Sequence, residues 1–239
     1  MSVISTAPSV FERQMRWLSE RDYRVIPLSV LVRRLRAGEG VPPRTAAITF
    51  DDGFLSVYTS AMPVLARFGF PATVFLVTGY CGLRNDWPGQ PDAVPRYPLL
   101  DWTHIREMDG RGFEFGAHTV THPRLDRLAP EQVEREIIGS KTQIEDRLGH
   151  AVDVFAYPYG RWTPYIRGVV GRAYVGACTT FQALVGPDTD PLALSRIEAH
   201  YIPASGALRG LTGLAFPAYL AVRRVLRTAA SLASGRDWI

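Results

Sequence analysis

The sequence predicts a single α/β domain built from parallel βα units. Three observations carry this reading: helix and strand signals alternate along the chain, the clearest strands are short apolar runs, and reactive side chains follow directly on three of them. At 239 residues the chain is long enough to bury its own core. With 46% apolar and 21% charged residues it lies far from the composition of a disordered chain.

Ser9 and Glu12 have capping-box spacing, and Phe11, Met15 and Leu18 share one face, which predicts a first helix. Tyr23 to Ile26 reads as a strand, and Ser29 as the cap of a second helix that Gly38 ends. Thr45 to Phe50 (TAAITF) is an apolar run, hence a buried strand leading into Asp51, Asp52 and Gly53. A helix over Ser56 to Phe68, kinked by Pro63, stops at Gly69, and Ala72 to Val77 is the next strand. Thr78 to Pro98 is rich in Gly and Pro and has no periodicity, so it predicts a long loop walling a substrate groove. Asp101 caps a helix to Arg111, Phe113 to Ala117 is a strand, Pro130 opens a helix to Gly149, and Val152 to Ala156 feeds YPYG.

From Leu220 onward, Val222, Val225, Leu226 and Ala229 fall on one helical face, with Arg223, Arg224 and Arg227 away from it. Residues 1–204 therefore read as the catalytic domain and residues 205–239 as an amphipathic helical tail packed on it. Peripheral membrane contact through the basic tail is the alternative.

The net charge of +4 comes from Arg residues spread along the chain without aromatic interleaving, which argues against nucleic acid as a partner. Cys81 and Cys178 are too few for a disulfide scaffold and read as buried thiols. The first residues lack a basic start followed by an apolar stretch, and no run reaches membrane-spanning length. The chain reads as soluble and cytoplasmic, with cell-envelope association left to the tail. No sequence feature specifies an oligomeric state.

Three segments end successive strands: TFDDG (Thr49 to Gly53), HTVTH (His118 to His122) and FAYPYG (Phe155 to Gly160). Side chains at strand ends converge on one face of an α/β barrel. Adjacent carboxylates on extended backbone point to different sides, so one of Asp51 and Asp52 can bind a metal while the other serves as a base. Two imidazoles and a carboxylate suit zinc and related divalent ions, with positions left over for water and substrate. Asp-Asp-Gly alone is an ordinary turn, and two His residues four apart are common on surfaces. Their occurrence together at strand ends points to a catalytic centre.

With these motifs the chain resembles the polysaccharide deacetylases of carbohydrate esterase family 4, which share the NodB-homology domain, over about Ser9 to Glu198. The resemblance implies a distorted (β/α) barrel with fewer than eight units. It implies Asp51 as the base, Asp52, His118 and His122 as metal ligands, and the Tyr159 backbone N–H as an oxyanion donor. The substrate would be an N-acetylated sugar unit of a polysaccharide or lipid-linked glycan.

Two departures from the family bear on the site. Many members place an Arg in the third motif to orient the base, where this chain has Ala156; Arg196, in LALSRIEAH, is the substitute partner expected for Asp51. The family's general acid is a late His, and His200 is the one in the right part of this chain; His104 and His150 read as structural. An extra first strand and a Tyr-His motif found in relatives are not seen, which predicts an open sheet edge. An O-deacetylase and a carbohydrate-binding protein with the same fold are the competing functions.

Overall fold

A computed structural model describes residues 6–202; the expected helical tail at 205–239 lies outside the described residues. Helix α1 (Pro8–Ser19) precedes a two-stranded parallel ladder, β1 (Arg24–Val25) with β2 (Thr45–Ala46), and α2 (Leu28–Ala37) connects the two strands. The main sheet contains β3 (Thr49–Phe50), β4 (Thr73–Leu76), β5 (Glu114–Ala117), β6 (Val154–Ala156) and β7 (Gly176–Cys178). Its spatial order follows the chain and every pair is parallel. Helices α3 (Met62–Phe68), α4 (Trp102–Asp109), α5 (Pro130–Leu148) and α6 (Pro164–Ala173) lie in the crossovers that parallel neighbours need.

Beyond β7, the segment through Leu194 pairs in parallel with Cys178, with Leu194 N–H donating to Ala177 O (2.8 Å) and Thr179 N–H to Leu194 O (2.9 Å). The architecture is a distorted (β/α) barrel with fewer than eight units. Among the described residues no backbone ladder joins this last segment to β3.

Strand alternation splits the core in two. Val74, Leu76, Phe155 and Ala177 face outward into a layer with α1 and α3 to α6. Phe75, Val154, Ala156 and Cys178 face the barrel interior, where Leu28, Leu31 and Val32 of α2 meet them. Helix α2 thus plugs the barrel, and Gly176 makes room for it: a Cβ there would lie 2.5 Å from Val32 Cγ2. Each of the three plug side chains contributes about 1.5–3 kcal/mol by burial.

The structure corrects several local expectations. Helix α1 starts at Pro8, whose fixed φ suits a first turn, and Ser9 lies inside the helix and caps nothing. Helix α2 is not capped by the Ser29 side chain; Thr73 Oγ1 accepts the Leu28 N–H (3.2 Å) and the Glu114 carboxylate accepts the Ser29 N–H (3.2 and 3.3 Å). The run Thr45 to Phe50 breaks into β2 and β3 and is half-buried, because β3 is an edge of the main sheet. Pro63 does not bend one helix. A π-helical turn, Val57–Ala61, leads into α3, placing Pro63 in a first turn where its missing N–H costs little. Cys178 is buried but Cys81 only half-buried.

Candidate metal centre and active site

The carboxyl ends of β3, β5 and β6 and of the segment after β7 carry all the reactive groups. Backbone conformation there is unusual. Asp52, Thr119, His122 and Tyr159 have φ of 67°, 70°, 57° and 59°, the left-handed region that residues with a Cβ avoid. Such residues cost about 1–3 kcal/mol each and persist where the surroundings impose them. At Asp52 and the following Gly53 (φ 73°) the turn sends the two neighbouring carboxylates toward different partners.

Asp52, His118 and His122 each place one donor atom within 4.8 Å of the others. Both His Nε2 atoms lie 3.5 Å from Asp52 Oδ1, which is buried and has no hydrogen-bond partner among the described residues. His118 Nδ1 lies 2.7 Å from the Ala156 carbonyl, so its proton belongs there and Nε2 presents a lone pair. Burial lowers the pKa of His118; burial and then His118 lower that of His122 well below the ordinary value. Burial, and then the Asp51 carboxylate, push Asp52 up to about 8. Two imidazoles and a carboxyl group without a hydrogen-bond partner converge on one point, and a divalent cation there would satisfy all three at once. The donor set fits such an ion.

Asp51 is held differently. Arg196 donates from Nη1 to Asp51 Oδ1 (2.6 Å) and from Nη2 to Oδ2 (2.7 Å), a bidentate pair. The guanidinium is itself fixed by Thr179 O (3.0 Å) and Thr49 Oγ1 (3.2 Å) and lies over the Phe75 ring. Burial raises the Asp51 carboxyl, but the charge and hydrogen bonds of Arg196 outweigh it and hold it at about 2. One carboxylate is thus kept ionised beside another that needs a cation. Ala156, buried on the barrel interior with Phe75 and Cys178, carries no group that could reach Asp51.

Tyr159 sits in the turn Pro158–Gly160, whose closing hydrogen bonds come from Gly160 and Arg161, leaving the Tyr159 N–H outside them. Its ring lies 4.7 Å from His122, and Trp87 packs on the same imidazole at 4.5 Å. Trp87 belongs to the long loop after β4, which is ordered: Asn85 Nδ2 donates to Pro95 O (3.2 Å), and Leu55 N–H and Leu100 N–H bond to Pro98 O and Gly53 O. Sequence reasoning gave the loop as a wall but missed Trp87, whose burial depends on a fold-back of ten residues. It also missed Glu136, which accepts the Val120 and Thr121 N–H groups at 2.8 and 2.9 Å.

His200 is exposed, on the turn Ala199–Tyr201 that Gln14 tethers to α1. His104 packs on Tyr58 (4.6 Å), and His150 Nε2 lies 2.9 Å from Asp109 Oδ1, both outside the cluster. The structure therefore brings together Asp51, Asp52, His118, His122 and Arg196, with Tyr159 beside them.

Residues 38–175 match the model of the polysaccharide deacetylase family. YxkH of Bacillus subtilis (strain 168), which carries the family's name, is 26% identical over 211 residues, 88% of this chain and 68% of its own. The poly-beta-1,6-N-acetyl-D-glucosamine N-deacetylase of Staphylococcus aureus (strain N315) is 26% identical over 165 residues, covering 65% of this chain. This chain spans about half (54%) of that relative's length. Among solved structures, the Streptococcus pyogenes deacetylase PplD in complex with acetate aligns with a TM-score of 0.73 and 24% identity over 84% of this chain and 85% of that one. IcaB from Ammonifex degensii aligns with a TM-score of 0.67 and 24% identity over 82% and 85%. Architecture, motif order and a family model matched over more than half its length agree: this chain belongs to the polysaccharide deacetylase family of hydrolases.

Proposed function

We propose that this protein removes acetyl groups from N-acetylated sugar units of a glycan, with zinc as the ion held by Asp52, His118 and His122. The observation that carries the reading is the pairing of a three-donor cluster with a separate carboxylate kept ionised by Arg196. A divalent ion bound there would polarise the acetyl carbonyl and acidify a water molecule. Asp51 accepts the proton of the attacking water, with Arg196 as the positioning residue that aims it. The Tyr159 N–H donates to the oxyanion that develops as the carbonyl carbon becomes tetrahedral. We assign protonation of the departing nitrogen to His200; an unchanged kcat in His200→Ala would return that step to Asp51.

The staphylococcal relative acts on an N-acetylglucosamine polymer, which makes such a polymer the first substrate to try. The test is acetate release from a panel of acetylated glycans after metal stripping and readdition. Restoration by one metal, on amide-linked acetyl groups, supports the reading; hydrolysis of ester-linked acetyl alone would replace it with O-deacetylation. No release with any metal would leave a binding protein.

Within residues 205–239 the sequence has Arg209, Arg223, Arg224, Arg227 and Arg236 against the single acidic residue Asp237, so this segment is strongly basic in composition. We infer peripheral contact of the segment with anionic headgroups. Sedimentation with anionic but not neutral vesicles checks it.

A further inference from the structure

We propose that Glu136 is a positioning residue for the metal centre: it sets the loop that aims His122, and through that loop the affinity for the ion. This rests on the metal site proposed above.

The two His donors are built on different supports. His118 continues the sheet, with its N–H on Leu76 O (2.9 Å). His122 is four residues further on, past the left-handed Thr119, and is itself left-handed. The loop between them has no ladder of its own, so its backbone groups need other partners. Thr78 and Gly79 N–H groups donate to Thr119 O (3.1 Å) and Val120 O (2.9 Å) on one side. On the other side, Glu136 of α5 receives three bonds: Val120 N–H at 2.8 Å and Thr121 N–H at 2.9 Å on Oε2, and the Thr121 hydroxyl at 2.7 Å on Oε1. Finally, Thr119 Oγ1 accepts the His122 N–H at 2.9 Å.

Two glycines admit this clamp. A Cβ on Gly79 would lie 2.7 Å from Val120 O, and one on Gly139, a turn beyond Glu136 in α5, would lie 3.3 Å from Val120 Cγ2. The loop is therefore pressed between the β4 end and α5. Without an acceptor at 136, two adjacent N–H groups lose their partner, and the strained conformation at Thr119 and His122 loses one of the supports that impose it. Metal binding would then have to reorder the loop. Partners of this kind, one shell outside the ligands, carry ~10- to 100-fold in metal affinity.

The experiment is titration of the metal-stripped full chain with cobalt(II), followed by its visible absorption, in wild type, Glu136→Ala and Glu136→Gln. Glu136→Ala is expected to bind cobalt ~10- to 100-fold more weakly, with far-ultraviolet dichroism unchanged. Glu136→Gln keeps an oxygen facing both N–H groups and is expected within about fivefold of wild type. Affinity of Glu136→Ala within twofold of wild type overturns the proposal, and so does a Gln variant as weak as Ala. Should Glu136→Ala fail to fold, Thr121→Val removes one of the three bonds alone; unaltered affinity there has the same force. A wild-type chain that binds no cobalt would instead overturn the metal site itself.

Discussion

Two carboxylates at opposite ends of the five-stranded sheet, Glu114 and Asp52, are held in opposite ways. At the amino end, Glu114 accepts from the Thr73 hydroxyl (2.5 Å) and the Ser29 N–H, and so joins β4, β5 and the start of α2. At the carboxyl end, Asp52 Oδ1 is buried with no hydrogen-bond partner among the described residues. A carboxylate supplied with donors stabilises the fold. One left short of them costs stability and gains a use, because a cation or a reacting water can complete it. Barrels divide their labour along the same axis, with chemistry at the carboxyl ends of strands.

Substitutions that invert the contrast should have separable effects. The largest belongs to the unsatisfied group: Asp52→Ala, like His118→Ala or His122→Ala, is expected to lose bound metal and abolish acetate release while thermal unfolding of the metal-free protein changes little. Elemental analysis beside an acetate assay reads this, and full occupancy with normal turnover would remove the ligand set. Asp51→Asn keeps shape and loses basicity, so metal should remain while kcat falls ~10²-fold or more. A rate near wild type would show another residue to be the base. Arg196→Lys replaces a bidentate fork by a point charge and should lower kcat about tenfold at constant metal content; activity equal to wild type would break the link between Arg196 and the base.

At the opposite end the expected effect changes kind. Glu114→Ala leaves the Ser29 N–H and the Thr73 hydroxyl without their acceptor and should cost about 1–3 kcal/mol in urea unfolding, with kcat/KM unaltered. Loss of activity without loss of stability would contradict the division. The smallest effect belongs to an exposed pair at neither end. Asp109 hydrogen-bonds His150 and raises its pKa above the ordinary 6.5. A raised folded-state pKa means stability present below 6.5 and lost as pH climbs through the raised value. His150→Ala should therefore cost about 0.5 kcal/mol near pH 5.5 and nothing near pH 9, a surface-pair magnitude; equal costs at both pH values would exclude it.

What the sequence showed follows the range of the interactions. Asp52, His118 and His122 are legible because each sits in a motif of five residues at the carboxyl end of a strand, and parallel strands carry their ends to one face. Arg196 could be named only by asking what replaces the missing Arg at Ala156. The local Asp101 cap is legible and present, accepting the Thr103 and His104 N–H groups, whereas the Ser29 cap failed because the group that serves there is distant: Glu114 is 85 residues from Ser29, and nothing local distinguishes it from a solvated acid. The barrel plug was hidden likewise, since α2 has the apolar stripe of any surface helix, and only Gly176 opposite Val32 reveals where it inserts. Glu136 reads as one more charge on a charged helix until the loop above it is seen.

Arg196 and Asp51 are 145 residues apart in sequence, and their ion pair spans the gap between the last barrel segment and β3, where no backbone ladder runs among the described residues. Contacts of such separation carry a large loop-closure entropy and form after the local ones. During synthesis the ligand motifs are complete once His122 has emerged, yet the base acquires its partner only when the chain has grown past residue 196 and the barrel has folded around α2. On the proposed roles, hydrolytic competence would thereby be tied to the finished fold: His118 is oriented by Ala156 and the His122 loop by Glu136, and Arg196 reaches Asp51 last of all.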